Sequence, residues 1–543
     1  MNIKKIALIA RTVRHLKYSQ IFFRFYNKIR RVTFSNKCYE VNPELKNLKR
    51  FELCGRKIIS DNEFIFLNCK RSVSDWNDKS ASKLWLYNLH YFDDLNTIEA
   101  EERIDINIRI ILDWISSNSA MVGNGWEPYP LSLRIVNWIK YFNTLKEPTV
   151  EITDSLYIQS EALYQTIEYH LLGNHIFANA KSLVFSGIYF KNEQSKSWLK
   201  KGLAILDKEI DEQILKDGGN FELSPMYHNI ILMDMLDLLN LAYAVNDEEL
   251  NIRVSKWEYV TKNMFRWAHT MTHTDGDLAF FNDSTLGIAP HYGELINYAK
   301  CLGLIIGSSV SIHGGLRFKH LVDSGYIVYE DEVVKAILDV AKVGPDYIPG
   351  HAHADTLSFE ASFFGQRVFV NSGISEYGIS DERLRQRKTA AHNTVEVDGK
   401  DSSEVWSGFR VARRAYPSSP FIKQSENILT VSCSHNGYHR LPGKVTHRRQ
   451  WDFTDDLFKV TDNLDGQYKK ALAFYHIHPE IEVTVRGKQA LLKLKCGKQV
   501  IVDASEEISI ESSTWHPQFG ISIPNKKLVI PFSSSQIDVT IRF

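Results

Sequence analysis

The chain has 543 residues, of which 44% are apolar and 12% aromatic, and its 65 basic and 65 acidic side chains give a formal net charge of zero. This length exceeds one ordinary core and predicts two or three domains. The charge balance argues against nucleic-acid binding, which needs a basic domain or stripe, so any recognition of anions must be local. The six scattered cysteines contain no C-x-x-C pair, which predicts free buried thiols and excludes a zinc ribbon or an obvious disulfide framework.

Residues 1–75 form a predicted basic segment, partly helical and partly extended. Its apolar run, Ile6 to Ala10, is shorter than a signal-peptide core, and no stretch reaches the roughly 18 apolar residues of a membrane span. Apolar and basic residues alternate at near-helical spacing from Ile21 to Arg31, which predicts an amphipathic helix. This helix either docks on the body of the protein or contacts an anionic membrane surface. We therefore expect a cytoplasmic or membrane-peripheral protein, with the periplasm as the alternative.

Residues 76–318 have apolar positions at helical spacing and form the predicted helical domain. One example is the stripe Leu199, Leu203, Leu206, Ile210 and Ile214. The predicted helices are Ile106–Ser117, Leu131–Leu145, Ser155–Leu171, Ser197–Leu215, Ile230–Ala244, Leu250–His269 and Gly293–Leu302. Antiparallel pairs of these helices are the expected packing.

Two polar clusters interrupt this helical pattern. In the first, Gly173 is predicted to end a helix. Asn174 then lies near the beginning of the next helix, and its side chain is available to cap that helix or to bind a ligand. A capping Asn174 beside a buried His175 is the structural alternative.

The second cluster follows Asn220 and contains a helix start. Ser224 is the predicted N-cap and Pro225 the first helical residue, which places Tyr227 and His228 in the first turn. The positive end of the helix dipole, near a cation, would favour a phenolate at Tyr227, as a catalytic base requires. The alternative is that Tyr227 lines the wall of a cavity and has no catalytic role.

A third group is rich in aromatic residues. It comprises Trp85, Tyr87, Asn88, His90, Tyr91, Trp126, Tyr129 and Arg134. Rings interleaved with hydrogen-bonding groups match the demands of sugar rings, although core packing explains most of the tryptophans equally well.

Residues 319–543 show short strands and turns, which predict an antiparallel β-sandwich. Examples of the strands are Arg367–Asn371, Thr394–Val397, Phe458–Thr461 and Leu491–Leu494. The dipeptide Asp398-Gly399 is a strong hairpin signal.

The β half also carries the most informative polar stretch. Strand alternation predicts His351 and His353 on one face, with His392 returning from a nearby strand. Such a group suits metal ligation or proton transfer, or the histidines are simply hydrogen-bonded to one another or to carboxylates. The arginines that surround it, including Arg387 and Arg440, indicate an anionic ligand.

Four motifs occur in the order GNHIFANAKSL, NFELSPMYH, GHAHADTLSFE and RKTAAHNTVEVDG, and they resemble the heparinase II/III-like polysaccharide lyases. LWLYNLHYFDDL, GWEPYPLSLRIVNWI and HNGYHRLPGKVTHRR look like further pieces of the same pattern. The resemblance implies a multidomain α + β protein in which an N-terminal incomplete (α/α) toroid precedes a C-terminal antiparallel β-sandwich. It also implies cleavage of an acidic, uronate-containing polysaccharide by β-elimination. Because no export signal is recognised, one hypothesis is a role in cell-surface polysaccharide metabolism from inside the cell.

The resemblance assigns catalysis to Asn174, Tyr227 and His351. Asn174, helped by His175, would hydrogen-bond the uronate carboxylate. Tyr227 and His351 would share removal of the C5 proton and protonation of the leaving oxygen, with the base left open. The residues that it assigns to substrate binding are His175, Glu222, His228, Trp126, Arg134, Arg387, His439 and Arg440.

The resemblance further implies a structural zinc or calcium ion held by His353, Asn371 and His392. The third ligand in the family is often an aspartate, and the neutral amide of Asn371 is a weaker metal ligand than a carboxylate. Asp355 could take its place as the third ligand.

Two other functions compete with this one. The sequence His-Ala-His-Ala-Asp is typical of metal-dependent hydrolases, but Thr356 stands where that motif needs another histidine. The second competing function is that of a glycan-binding or assembly protein without catalytic turnover. Such a protein would not need Asn174, Tyr227 and His351 together.

Overall fold

The computed structural model describes residues 3–35, 37–306, 318–425 and 427–543. Helices dominate as far as Cys301, and strands dominate from Phe318 onward. The predicted change from helical to β structure is therefore confirmed. The predicted boundary between residues 318 and 319 lies beside residues 307–317, which are outside the described ranges, and it stays a prediction.

Twelve α-helices lie in the described residues. Their bounds are α1 Ile3–Val13, α2 Tyr18–Ile29, α3 Lys83–Tyr91, α4 Ile104–Ser117, α5 Pro128–Thr144, α6 Val150–Thr166, α7 Gly173–Tyr189, α8 Glu193–Gln213, α9 Pro225–Ala244, α10 Glu248–Thr270, α11 Tyr292–Cys301 and α12 Asp381–Gln386. Short 3₁₀ helices cover Pro43–Asn47, Asp93–Asn96, Ala100–Arg103, Asn124–Trp126 and Thr389–Ala391.

Five of the helices from α3 to α11 form one packed series. Helices α3, α5, α7, α9 and α11 each pack against the next member of that series, while α6, α8 and α10 each pack against at least one of its members. The incomplete (α/α) toroid stays a prediction. Helix α9 carries apolar side chains on almost every face, which explains why it is buried along nearly its whole length.

The N-terminal segment packs on both halves of the molecule. Trp406 Nε1 of the β half donates to Thr12 Oγ1 of α1 over 3.1 Å, and Arg30 Nη1, just after α2, donates to the Gln165 carbonyl of α6 over 3.1 Å. A small sheet of β2 Ile58–Ser60, β3 Glu63–Phe66 and β4 Cys69–Ser72 adds Phe64 and Phe66 to the helical core. None of the helices in the described ranges is long and apolar enough to cross a membrane.

Two large antiparallel sheets form the β-sandwich. The first contains β6 Phe318–Leu321, β7 Tyr326–Glu330, β8 Val334–Asp339, β9 Phe359–Phe363, β10 Gln366–Phe369, β11 Val395–Val397, β18 Ala471–Ile477, β22 Ser509–Trp515 and β23 Ile523–Pro531. The second contains β14 Phe421–Gln424, β15 Leu429–Tyr438, β16 Val445–Phe453, β17 Leu457–Asp465, β19 Glu482–Arg486, β20 Gln489–Lys493, β21 Gln499–Ala504 and β24 Gln536–Arg542.

Apolar side chains from both sheets share one core, which includes Phe359, Phe369, Trp451 and Phe458. This shared core defines a sandwich. The remaining strands form two short pairs, β1 Glu40–Val41 with β5 Phe190–Lys191 and β12 Val405–Trp406 with β13 Arg410–Val411.

Three local predictions are wrong. His351 and His353 lie in a loop before β9, and His392 follows a 3₁₀ helix, so strand alternation does not bring them together. Gly173 begins helix α7 instead of ending α6, and its φ of +57° is a conformation that glycine adopts at no steric cost. Five of the six free cysteines are exposed, and only Cys433 is buried.

Candidate active site

A cavity of about 950 Å³ lies where the N-terminal ends of α7 and α9 meet loops of the β half. Asn174, Tyr227 and His351, which are far apart in the sequence, all line it. Several aromatic side chains contribute to its walls, among them Tyr87, Tyr91, Tyr129, Tyr377 and Phe409. The predicted aromatic lining is therefore present, although Trp85, His90 and Trp126 are not part of it.

Tyr227 is held by the start of α9 in the way that the sequence predicts. Ser224 caps the helix by accepting a hydrogen bond from the Tyr227 N–H over 3.2 Å, and Pro225 is the first helical residue. The phenol lies against the His351 imidazole, with ring centroids 3.9 Å apart and planes inclined by 32°. Burial raises the pKa of Tyr227 well above its usual value, so the expectation of a favoured phenolate is wrong and the group is a neutral phenol.

His351 is oriented by a buried carboxylate that the sequence did not single out. Its Nδ1 lies 2.8 Å from Asp283 Oδ2, and Arg383 forms two hydrogen bonds with the same carboxylate. Burial alone would raise the pKa of Asp283, but Arg383 and the two neighbouring histidines hold it well below its usual value. An ionised Asp283 accepts the Nδ1 proton, which leaves the Nε2 lone pair of His351 free beside the cavity.

Asn174 lies in the first turn of α7. Its Nδ2 donates to the Tyr129 hydroxyl over 3.2 Å, and the Tyr129 ring lies against His175, with centroids 4.4 Å apart and planes inclined by 35°. His175 Nδ1 is 3.0 Å from Glu168 Oε2. Burial alone would lower the pKa of His175, but the Glu168 carboxylate raises it. The Asn174 amide and the His175 imidazole, whose raised pKa favours the cationic form, therefore form a patch that can bind a carboxylate.

Glu222 approaches the same place from the loop before α9. Its Oε1 is buried without a hydrogen-bond partner among the described residues. A Cβ at Gly173 would lie only 2.8 Å from this oxygen, so the glycine makes room for the carboxyl group. Burial raises the pKa of Glu222, which favours the protonated form that donates a hydrogen bond.

Tyr377 is a wall residue that the sequence analysis missed. Its hydroxyl is 3.0 Å from the Tyr227 hydroxyl, and its ring lies 4.9 Å from the Arg383 guanidinium. No motif signals Tyr377 or Asp283, because each acquires its place only through the tertiary fold.

His353, Asp355 and His392 converge behind the cavity as a buried group of metal-ligand type. His353 Nδ1 and His392 Nε2 are 3.3 Å apart, and their other ring nitrogens face Asp283 Oδ1 and Asn371 Oδ1. Since these oxygens accept the ring protons, two lone pairs point at each other. Two nitrogens bound to one tetrahedral Zn²⁺ at about 2.0–2.1 Å lie about 3.3 Å apart, so the pair fits a zinc ion.

Asn371 does not fit as a ligand in this arrangement, which corrects the prediction. Its Oδ1 contacts the far nitrogen of His392, over 3.2 Å, and therefore fixes the tautomer of that ring. Asp355, the substitute considered from sequence, offers the third ligand atom, a carboxylate oxygen.

Four of the residues assigned to substrate binding are buried and do not line the cavity. Arg134 donates to Gln159 and to the His90 and Gly125 carbonyls, and Arg387 donates to the Ala352 carbonyl. Trp126 Nε1 donates to the Asn118 carbonyl, and His228 lies between Asn220 and Met264. These side chains satisfy backbone groups, and they position the loops that surround the site.

His439 and Arg440 also lie outside the cavity walls. His439 is exposed and bonds to Thr446, whereas Arg440 donates to the Ser402 carbonyl over 3.0 Å. The structure thus brings together Asn174, His175, Glu222, Tyr227 and His351, and it separates the other predicted binding residues from them.

Comparison with known proteins identifies relatives of both halves of the chain. The Heparinase II/III N-terminus family matches residues 98–300, and the Heparinase II/III-like C-terminal family matches residues 313–543. A heparin-sulfate lyase from Bacteroides stercoris is 24% identical over 386 residues, which is 66% of this chain and 54% of that protein. A heparin-sulfate lyase from Pedobacter heparinus is 23% identical over 56% of this chain and 50% of its own length. The chain therefore spans about half the length of these curated relatives.

Solved structures show the same fold. A crystal structure of heparinase III aligns with a TM-score of 0.70 at 18% identity, covering 96% of this chain and 89% of the other. Heparan sulfate lyase HepC from Pedobacter heparinus aligns with a TM-score of 0.58 at 15% identity, covering 96% and 87%. With both family regions matched in order along most of its length, the chain belongs to the heparinase II/III-like family.

Proposed function

We propose that the protein is a polysaccharide lyase that cleaves an acidic, uronate-containing polysaccharide by β-elimination. The observation that carries this proposal is the meeting of Asn174, Tyr227 and His351 on one cavity. The names of the curated relatives, heparin-sulfate lyases, support the same reaction class.

We propose the following proton transfers, which the contacts of His351 and the buried Tyr227 phenol support. His351 Nε2 takes the C5 proton, because its Nδ1 is held by Asp283 and its Nε2 is free. The electron pair of the C5–H bond forms the C4–C5 double bond as the C4–O bond breaks. Tyr227, a neutral phenol at rest, gives its proton to the departing oxygen. The proton that His351 gains replaces the one that Tyr227 loses, so the site returns to its starting state.

The uronate carboxylate must be stabilised before C5 becomes acidic enough to react. Asn174 donates from its amide, His175 supplies partial positive charge, and a protonated Glu222 donates a further hydrogen bond. Together they stabilise the dianionic form that develops in the transition state.

We also propose a structural zinc ion bound by His353, Asp355 and His392. Its role is to fix the loop that carries His351, two residues before His353. The three ligands are buried and absent from the cavity walls, so they offer no substrate access to a metal. This burial disfavours a metal-dependent hydrolase. Two imidazole nitrogens favour zinc over calcium, which prefers oxygen ligands.

The N-terminal segment supports peripheral contact with an anionic membrane. On α2, the residues Tyr18, Phe22, Phe25 and Ile29 form one stripe at i, i+4, i+7 and i+11, and all four are exposed, Tyr18 by 85% and Ile29 by 77%. The opposite face docks on the body, where Phe23 packs on Tyr169 and Asn27 bonds to His170.

Basic side chains flank that exposed stripe, among them Arg24, Lys28 and Arg31. An apolar stripe with basic flanks is the arrangement of an interfacial helix. The full chain should sediment with anionic vesicles but not with neutral ones. Replacing Phe25 and Ile29 by serine should abolish sedimentation with the anionic vesicles. Failure of the wild-type chain to sediment with anionic vesicles would contradict membrane contact, and equal recovery of the wild-type chain and the serine variant would contradict the role of the stripe.

The catalytic proposal is tested by an ultraviolet absorbance screen of the full chain against a panel of uronate polymers. Elimination creates a conjugated uronate that absorbs, and Tyr227→Phe should lower kcat by about 10²–10⁴ while the folded state is retained. A Tyr259→Phe variant, exposed on α10 and remote from the cavity, is the matched control. Turnover by Tyr227→Phe at the wild-type rate would overturn the assignment.

A further inference from the structure

Two arginines lie beside the cavity and have no part in the proposed reaction. They are Arg24 on α2 and Arg410 on β13, and we call them the arginine pair. Phe409, which directly precedes Arg410, lines the cavity wall, and its ring centroid is 6.1 Å from that of His351. Arg410 therefore belongs to a hairpin, formed by β12 and β13, whose tip is part of the cavity wall.

The hairpin that carries Arg410 is fixed relative to the candidate catalytic residues. Arg383 Nε donates to the Gly408 carbonyl at the hairpin tip over 3.1 Å. The same guanidinium is bonded to Asp283, which orients His351. A group bound at Arg410 would therefore be held at a defined position relative to the sugar that reacts.

Arg24 reaches this place from helix α2. It lies at the edge of the docked face of that helix, four residues after Gln20 and three before Asn27. Gln20 and Asn27 both form hydrogen bonds to the body of the protein. The partner of Asn27 is His170, and the residue that follows it, Leu171, lines the cavity.

The charges around His170 agree with this position of Arg24. Burial lowers the pKa of His170, and the nearby cationic groups of Arg24 and His175 lower it further. His175 itself lines the cavity. Arg24 thus lies between the loop that leads into α7 and the hairpin that carries Arg410.

The two guanidinium groups of the arginine pair are close to each other and have no acidic partner. Partial burial lowers the pKa of Arg24, and the positive charge of Arg410 lowers it further. Both side chains are exposed, and neither forms an ion pair within the part of the chain that the structure describes. The Arg410 guanidinium lies 5.0 Å from the centroid of the Trp406 ring. Two like charges without a counter-ion repel each other, so an anion bound between them would be stabilised.

Other arginines of the same region do have acidic partners. Arg413 Nη2 pairs with Glu404 Oε1 over 2.6 Å, and Arg414 Nε pairs with Asp346 Oδ1 over 3.3 Å. Acids are therefore present on this side of the molecule, but they are used elsewhere. The lack of a carboxylate beside the arginine pair is a local feature.

We propose that Arg24 and Arg410 form a carboxylate-binding subsite beside the cavity, which holds an acidic sugar of the polymer outside the ring that is cleaved. This inference rests on the proposed lyase function and adds a subsite to it. A guanidinium presents several N–H donors in one plane and matches the two oxygens of a carboxylate. A bound carboxylate would also remove the repulsion between the two cations. Phe409, 40% exposed, offers an apolar face to the sugar rings between this subsite and His351.

An anionic lipid headgroup is the competing ligand, because α2 also exposes an apolar stripe. Two observations favour the polymer. Arg24 lies at the edge of the docked face and not within the stripe, and its partner Arg410 belongs to the hairpin at the cavity. A ligand that contacts both arginines must therefore lie between α2 and the hairpin, beside the wall that Phe409 forms.

The test measures cleavage and binding of a glucuronate homopolymer by the purified full chain. Every sugar of this polymer has a carboxylate, so one is available wherever the subsite lies. Arg24→Gln and Arg410→Gln should each raise KM by about three- to tenfold and leave kcat within about twofold, because the lost contact is made equally before and during the reaction. The double variant should raise KM by less than the product of the two single effects, since both arginines bind one carboxylate.

Arg486→Gln is the matched control for these charge changes. Arg486 is an exposed arginine on β19, in the second sheet, and it does not line the cavity. Its replacement should leave KM unchanged. An equal rise of KM in this control would show a general effect of net charge and would overturn the inference.

The lyase proposal and the subsite fail in different ways. Wild-type cleavage combined with an unchanged KM in both single variants overturns the subsite while the lyase proposal stands. If the wild-type chain does not cleave the polymer, equilibrium binding of the same polymer decides. Weaker binding by both arginine variants, but not by Arg486→Gln, then supports the subsite without the lyase, whereas equal or absent binding overturns the subsite.

Two further measurements exclude other roles for the arginine pair. Loss of sedimentation with anionic vesicles in the arginine variants, with KM unchanged, would assign the pair to lipid and overturn the inference. Thermal unfolding should show no decrease of Tm in either variant, because each change removes one of two like charges. Failure of both variants to fold would show that the pair supports the structure and would likewise overturn the inference, and if only one fails, the other decides.

Discussion

Two buried clusters in this protein have nearly the same composition but different surroundings. At the cavity, Asp283 is paired with Arg383 and bonded to His351 and His353. Inside the β-sandwich, Asp462 is paired with Arg449 and bonded to His447, whose other ring nitrogen faces His435. In both, an arginine keeps a buried carboxylate ionised, and that carboxylate orients an imidazole.

The clusters differ in what the imidazole faces. His351 retains 15% side-chain exposure and stacks on Tyr227 at the cavity, whereas His447 is fully buried on β16 between the sheets. Arg449 further donates to the Leu357 and Asn393 carbonyls and so ties the sandwich to the loops before β9 and β11. Under the proposed mechanism, an Asp–His–Arg set acts in catalysis where one ring nitrogen is free beside a phenol and an amide, and the set between the sheets is a structural connection.

The largest expected difference between the clusters is in turnover. His351→Gln should lower kcat by about 10²–10⁴, because the site loses its general base. His447→Gln should leave kcat of the folded protein unchanged. Steady-state rates normalised to the folded fraction measure both, and a similar loss of kcat in the two variants would remove the distinction.

Removal of the carboxylate at the cavity should affect both stability and rate. Asp283→Asn leaves Arg383 buried without a counter-ion, which costs about 3–5 kcal/mol of unfolding free energy. It also releases His351, so kcat should fall as well. Urea unfolding combined with the absorbance assay measures both, and retention of full activity would show that His351 needs no support from Asp283.

Removal of the carboxylate in the sandwich should affect stability alone. Asp462→Asn should cost about 3–5 kcal/mol for the same reason, since Arg449 is fully buried. The rate per folded molecule should equal that of the wild type. A reduced rate in the folded fraction would indicate that the sandwich cluster acts on the cavity through Arg449 and the Asn393 loop.

The sandwich cluster also predicts a dependence of stability on pH. Burial would raise the pKa of Asp462, but Arg449 and His447 bring it to about 2, against 3.8 ordinarily. The unfolded chain therefore takes up this proton first as the pH falls, so the stabilisation is complete above about pH 4 and is lost toward pH 2. This linkage contributes about 2 kcal/mol. The difference in unfolding free energy between the wild type and Asp462→Asn, measured by urea unfolding, should accordingly decrease below about pH 4. A difference that does not change with pH would contradict the low pKa of Asp462.

The smallest expected effect concerns the metal site behind the cavity. A chelator should lower Tm by a few degrees if zinc is bound, because a ligand that binds only the folded state stabilises it. Metal analysis of the purified chain should find zinc, and His392→Gln should lose it. A chain free of metal with an unchanged Tm would leave His353 and His392 as a hydrogen-bonded pair.

Much of the fold could be predicted from local patterns. The Ser224-Pro225 start of α9 is a capping signal that needs no tertiary information, and it correctly placed Tyr227. The change from helical to strand spacing likewise identified the two halves of the molecule. These features depend on neighbouring residues, which a sequence shows directly.

The parts that could not be predicted depend on distant contacts. Asp283 is an isolated acid in sequence, and it becomes central only because a loop carries it between His351, His353 and Arg383. Arg134 was expected at the substrate because it is charged, yet carbonyl groups of the fold occupy its donors. Likewise, the resemblance assigned Asn371 to the expected metal site, but the sequence does not show which ring nitrogen of His392 it faces.

The most direct test of the central claim is to digest a uronate polymer in water labelled with heavy oxygen and to weigh the products. Elimination by Asn174, Tyr227 and His351 adds no water across the broken bond, so the new chain ends should carry no label and should absorb in the ultraviolet. One labelled oxygen per cleavage, without absorbance, would show hydrolysis and contradict the account.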